Sequence, residues 1–96
     1  MRLLTCASRE ARLQGLEDFR AGRVERLARR ADGCIVGVVL ETDGTRQVTT
    51  ADPEHPRFSL CTCPRAENPR IVCRHMVAVF CAAFPEESAA FFENSP

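Results

Sequence analysis

The stretch CTCPRAENPRIVCRH, residues 61–75, constrains the fold of this chain most strongly. It holds two pairs of metal-ligating side chains, Cys61 with Cys63 and Cys73 with His75, separated by nine residues. Three thiolates and one imidazole form a normal tetrahedral ligand set for zinc. We therefore predict that these four side chains bind one structural zinc ion, Zn²⁺.

The spacing within each pair predicts how the backbone presents the ligands. In an extended chain, residues two apart point the same way, so Cys61 and Cys63 can share one ion. Residues two apart on a regular helix do not share a face. Cys73 and His75 can therefore converge only where a helix begins, and the apolar stretch from Val72 to Phe84 is predicted to be that helix.

The ligand pattern Cys-x-Cys, a variable gap and Cys-x-His resembles the SWIM zinc finger. The stretch Cys73–Ala78 is similar to the Cys-x-His-x-x-Ala form of that family. Gly22-Arg23-Val24, a predicted hairpin and Cys61–Pro64 look like the strand-rich segment and finger of many bacterial members. The resemblance covers about residues 15–84 and implies a zinc-binding module. Members occur in helicase-like proteins, transposases, ubiquitin ligases and partners of recombinase paralogues, where the module is thought to bind DNA or protein.

Residues before the finger predict one helix and at least two strands. Ser8 is a plausible N-cap for a helix running to about Ala21, and Gly22 is a plausible stop. The β-branched run 34–40 and the segment 45–50 follow two Asp-Gly turn signals and are predicted strands.

Residues 23–31 are open to two interpretations. Val24, Leu27, Ala28 and Ala31 lie at helical spacing. The family resemblance instead implies a strand over 23–30, which would extend the antiparallel meander, and we adopt that interpretation.

The predicted fold class is α+β: a small antiparallel β-meander with an N-terminal helix and a zinc-bound ββα finger. We expect a single domain over 1–96, made of the helix and meander (8–57), the finger (58–84) and a short C-terminal helix or tail (85–96). A short strand over 58–60 is predicted to lead into Cys61.

Composition limits the functional classes. The formal net charge is zero, so the chain lacks the overall basic field of many nucleic-acid-binding proteins. No apolar run approaches the ~20 residues that span a bilayer. The apolar stretch at the amino terminus is too short for a signal peptide. We expect a cytoplasmic protein with no membrane partner. The six cysteines are then expected to be metal ligands or thiols rather than disulfides.

The preferred function is a protein–protein adaptor for a larger protein that acts on DNA, such as a DNA-acting ATPase or a recombinase paralogue. The alternative is direct nucleic-acid binding, for which Arg65, Arg70 and Arg74 around the zinc loop are the candidate residues. A redox or metal-handling protein is a third possibility. We expect no enzymatic activity, because four protein ligands leave zinc no open position.

One histidine and three cysteines lie outside the stretch 61–75. His55 is the rival of His75 as a ligand, but a loop histidine between prolines is more often solvated. Cys81 and Cys34 are expected in the core, and Cys6 is expected to be exposed.

The helix after His75 has no formally charged side chain as far as Phe84. Its predicted sheet-facing residues are Met76, Val77, Phe80, Ala83 and Phe84. Ala78 and Ala82 fall on the opposite side. Either the N-terminal helix covers them, or they form a docking face for a partner.

Overall fold

In the part of the chain that the structure describes, four α-helices pack with one four-stranded sheet. The computed structural model describes residues 2–63 and 72–94. The strands form one antiparallel sheet in the order β1-β2-β3-β4, which confirms the predicted α+β class and the meander. In chain order the elements are α1 (Leu3–Cys6), α2 (Arg9–Arg20), β1 (Val24–Arg29), β2 (Ile35–Leu40), β3 (Arg46–Ala51), β4 (Leu60–Cys61), α3 (Arg74–Ala83) and α4 (Pro85–Asn94).

Helix α2 has the ends that the sequence predicts. The Ser8 hydroxyl accepts a hydrogen bond from the Ala11 N–H at 3.1 Å, which satisfies one unpaired donor of the first turn. Gly22 follows the helix with a φ of +73°, a conformation that glycine adopts without a steric penalty.

Residues 24–29 form a strand, so the strand interpretation is confirmed. A bulge interrupts the strand between Glu25, opposite Val38, and Ala28, opposite Val36. Arg26 lies within the bulge at a φ of +53°. Because a bulge adds a residue to one strand, it breaks the two-residue alternation of side chains. This explains why β1 shows no strand periodicity in the sequence.

The two faces of the sheet are defined by the alternation of strands β2, β3 and β4. The inner face carries Ile35, Gly37, Val39, Thr49 and Ala51, and the outer face carries Val36, Val38, Leu40, Val48 and Leu60. Helix α3 packs on the inner face, where the side chains of Ile35, Val39, Thr49 and Ala51 are at most 1% exposed.

Helix α3 lies between the sheet and helix α2, and glycine allows the close approach on both sides. A Cβ atom added at Gly37 would lie 2.9 Å from Val79 Cγ2 on the sheet side. A Cβ atom added at Gly15 of α2 would lie 2.5 Å from Val77 Cβ and 2.6 Å from the Arg74 carbonyl oxygen. The prediction that Val77 packs on the sheet is therefore wrong, because this residue meets α2.

The same helix packing bears on Ala78 and Ala82. Ala78 lies one turn after Arg74 and next to Val77, and it has no exposed surface. Its side chain is therefore covered within the chain, which leaves no surface of Ala78 for a docking partner. Ala82 is partly exposed, and its role as a docking residue stays a prediction.

Two local features differ from the sequence prediction. Helix α1 was not predicted, although it buries Leu3 and Leu4 in the core. Phe58 belongs to a 3₁₀ turn, Pro56–Phe58, so the predicted strand is reduced to Leu60–Cys61. Proline at the first residue of that turn favours this conformation because its φ is already fixed near the helical value.

Within the described residues, no helix combines the length and apolarity needed to cross a bilayer.

Candidate metal centre

The four predicted ligands come together at the junction of β4 and α3. Cys61 ends β4, Cys63 lies two residues later, Cys73 is the N-cap of α3, and His75 lies in its first turn. Their ligand atoms all lie within 4.8 Å of one another. Cys63, Cys73 and His75 are buried and Cys61 is half-buried. The predicted convergence at the beginning of a helix is confirmed.

The separations fit a tetrahedral zinc site. With Zn–S bonds of about 2.3 Å and Zn–N bonds of about 2.0–2.1 Å, the sulfur–nitrogen edge of a tetrahedron is about 3.6 Å. The Nδ1 atom of His75 lies 3.7 Å from Cys61 Sγ and 3.9 Å from Cys73 Sγ. Three soft thiolates with one imidazole suit zinc better than they suit calcium or magnesium, which take oxygen ligands. The residues present therefore fit one bound zinc ion.

Two residues that the sequence analysis missed contact the ligands. Glu41, directly after β2, approaches Nε2 of His75 with its Oε1 atom. The Thr49 hydroxyl of β3 lies 3.3 Å from Cys61 Sγ and is fully buried. Neither residue lies near the ligands in sequence. The pairing of β3 with β4 places Thr49 opposite Cys61, and the packing of α3 against the sheet brings His75 to Glu41.

Contacts within the cluster shift the pKa values of its side chains in different directions. A hydrogen bond with Cys73 lowers the pKa of Cys61 against the opposing effect of burial. The same hydrogen bond, burial and the charge of Cys61 raise the pKa of Cys73. Burial opposes a charged His75, but the hydrogen bond and charge of Cys61, with the charge of Glu41, outweigh it and raise its pKa. Because zinc binds thiolates and neutral imidazole, metal binding would release protons from this cluster.

Arg74 points away from the cluster, although it lies between two ligands in sequence. Its guanidinium donates two hydrogen bonds to the Asp18 carboxylate, at 2.8 and 2.7 Å, and this pairing raises the pKa of Arg74. Arg23 donates to the same carboxylate at 3.1 Å. Asp18 is buried, so this ion cluster joins α2, α3 and the residue directly before β1. Among the predicted nucleic-acid-binding residues, Arg74 is thus engaged inside the chain, and Arg65 and Arg70 lie outside the described residues.

The other candidate ligands lie outside the cluster. His55 is exposed beside Phe58, with ring centroids 6.0 Å apart. Cys81 is fully buried and Cys6 is exposed, as predicted, whereas Cys34 is only half-buried.

Comparisons with protein-family models, with curated proteins and with solved structures found no match to this chain.

Proposed function

We propose that this chain is a zinc-stabilised binding module of the SWIM type, acting as an adaptor for a larger protein that works on DNA. The convergence of Cys61, Cys63, Cys73 and His75 within 4.8 Å is the observation that carries the zinc part of the proposal. The adaptor part rests on the sequence resemblance and on the character of the outer face.

The zinc ion in this proposal is structural. If all four side chains bind it, the tetrahedral shell is complete and leaves no position for a water molecule or a substrate. The ligands tie β4 to the beginning of α3, across a junction where β4 pairs over only two residues. A metal ion there supplies a connection that this short strand pairing provides only weakly.

The outer face supports protein binding. Val48 and Leu60 on this face are 52% and 68% exposed, next to the partly exposed Val36, Val38 and Leu40. Glu25 and Arg46 form an ion pair beside them at 3.9 Å, so their charges offset one another. An apolar, nearly neutral surface suits an apolar protein surface better than the phosphate backbone of a nucleic acid.

Metal content is tested by native mass spectrometry. We expect one zinc per folded chain and its loss on Cys61→Ser, Cys63→Ser or Cys73→Ser. Serine at the exposed Cys6 is the matched control and should keep the metal. A folded wild-type chain that takes up no zinc would overturn the proposal.

The substitution Val48→Lys distinguishes a protein partner from DNA as the ligand of the outer face. A lysine in an apolar docking face should abolish capture of a protein partner identified by cross-linking in the native cell. If the outer face instead binds DNA, the same lysine should strengthen binding and steepen its salt dependence. Leu13→Lys is the matched control, because Leu13 on α2 has the same 52% exposure away from the sheet. Tighter DNA binding by the Val48 variant, with partner capture intact, would favour the nucleic-acid alternative.

The redox alternative is tested on the zinc-loaded chain. Ready and reversible loss of zinc on mild oxidation of the thiolates would favour a redox or metal-handling protein. A structural site whose ligands are mostly buried should release its zinc slowly under the same treatment.

A further inference from the structure

We infer that Glu41 is a positioning residue for the zinc site, and that it makes Nδ1 of His75 the metal-binding nitrogen. This inference rests on the proposed zinc site. It adds that the hairpin formed by β2 and β3, which supplies none of the four ligands, sets the orientation of one of them.

The backbone of Glu41 is held in the β2–β3 turn by several hydrogen bonds. Its N–H donates to the Thr45 carbonyl oxygen at 2.7 Å, and its carbonyl oxygen accepts from the Gly44 N–H at 3.1 Å. The Asp43 carboxylate closes the turn by accepting from the Thr45 N–H at 3.0 Å and the Thr45 hydroxyl at 2.7 Å. Glu41 therefore projects from a well-defined hairpin end towards α3.

The contact between Glu41 and His75 is shielded from water mainly on the His75 side. The Glu41 side chain is 27% exposed and the His75 side chain is 6% exposed. A hydrogen bond to a carboxylate is stronger than one between neutral groups, and it gains further strength where water is excluded. The imidazole is thus held by a directed contact on its Nε2 side.

The chemistry of imidazole then selects the ligating nitrogen. Neutral histidine carries one N–H and one lone pair, so a hydrogen bond donated by one nitrogen leaves the other free to bind metal. Glu41 accepts at Nε2, and Nδ1 faces the sulfur atoms of Cys61 and Cys73 at 3.7 and 3.9 Å. Carboxylates that hold a metal-bound histidine in this way also increase the basicity of the ligand.

The first test is the tautomer of His75 in the zinc-loaded wild-type chain. Long-range ¹H–¹⁵N correlation spectra distinguish the protonated nitrogen from the metal-bound one. We expect the proton on Nε2 and zinc on Nδ1. A proton on Nδ1 would overturn the inference even if zinc is bound.

The second test is zinc affinity, measured by competition with a chromophoric chelator. Glu41→Ala should weaken zinc binding about 10- to 100-fold, the usual effect of losing a partner behind a metal ligand. Glu41→Gln should restore most of the affinity and keep Nδ1 bound, because its amide oxygen still accepts from Nε2–H. Glu25→Ala is the control: it removes a carboxylate from the same sheet, from an ion pair on the outer face.

The outcomes separate this inference from the proposed function. Wild-type zinc uptake with equal affinity in Glu41→Ala would overturn the role of Glu41 and leave the zinc module standing. A wild-type chain that binds no zinc would overturn both.

Discussion

The two faces of the sheet are built by alternate residues of the same strands, yet they have opposite surroundings. On the inner face, Val39 and Thr49 are at most 1% exposed beneath α3, and the metal cluster lies at one edge. On the outer face, Val48 is 52% exposed on β3, next to the buried Thr49. The inner face is therefore buried in the folded chain, whereas the outer face leaves apolar side chains exposed after folding.

This difference suggests that stability and binding are separable in this chain. Substitutions on the inner side should change folding or metal affinity, and equivalent substitutions on the outer face should leave both nearly unchanged.

Removal of the metal is expected to have the largest effect. Structural zinc supplies about 10–16 kcal/mol of apparent binding free energy, comparable to or greater than the total stability of about 5–15 kcal/mol of a typical domain. Chelation should therefore abolish the cooperative thermal transition followed by circular dichroism. Cys73→Ser should have the same effect, although serine is a favourable N-cap for α3. A chelated chain that keeps its full transition would contradict metal-dependent folding.

Asp18→Ala is expected to have the next largest effect. Asp18 is buried and pairs with Arg23 and Arg74, whose side chains are 28% and 33% exposed. Breaking a buried ion pair costs about 3–5 kcal/mol, and we expect about 3 kcal/mol because both arginines can regain water. Denaturant unfolding measures this loss.

The control for Asp18→Ala is Glu25→Ala, which breaks the exposed pair with Arg46 on the outer face. An exposed pair contributes little, so this variant should unfold nearly as the wild type does. Equal destabilisation by the two variants would contradict the inference that the outer face contributes little to stability.

Val39→Ala and Val48→Ala compare the same substitution on opposite faces. Val39 is 1% exposed, so its truncation removes two buried methyl groups and should cost about 2 kcal/mol. Val48 is half-exposed, and its truncation should change the free energy of unfolding by less than about 0.5 kcal/mol. Both values come from denaturant unfolding of the zinc-loaded chain. A cost at Val48 as large as that at Val39 would mean that the outer face is also packed.

Thr49→Val and Thr50→Val make the finest comparison, because these neighbours point to opposite faces. Thr49→Val keeps the shape of the side chain but removes the hydroxyl 3.3 Å from Cys61 Sγ. We expect zinc affinity to fall about tenfold, the lower end of the range for residues behind a metal ligand. Thr50→Val should leave the affinity unchanged. Unchanged affinity in both variants would show that the Thr49 hydroxyl does not support the Cys61 ligand.

Local signals in the sequence predicted most of the elements. The β-branched run before Leu40 forms β2, Ser8 caps α2, and Pro85 begins α4. The spacing of the cysteines and His75 predicted the cluster, because residues two apart converge only in an extended chain or at the beginning of a helix. These features depend on neighbours in sequence, so they can be predicted without knowing the tertiary structure.

The partners of each side chain were decided by the tertiary structure. Helical periodicity groups residues by face, but it does not reveal that Val77 meets Gly15 of α2 or that Arg74 pairs with Asp18. Glu41 and His75 are 34 residues apart, and no local pattern marks them as partners. Their contact arises because the β2–β3 hairpin and the beginning of α3 lie side by side in the fold. The amino-acid sequence by itself thus determined most of the elements and the ligand set, and long-range packing decided which groups surround the ligands.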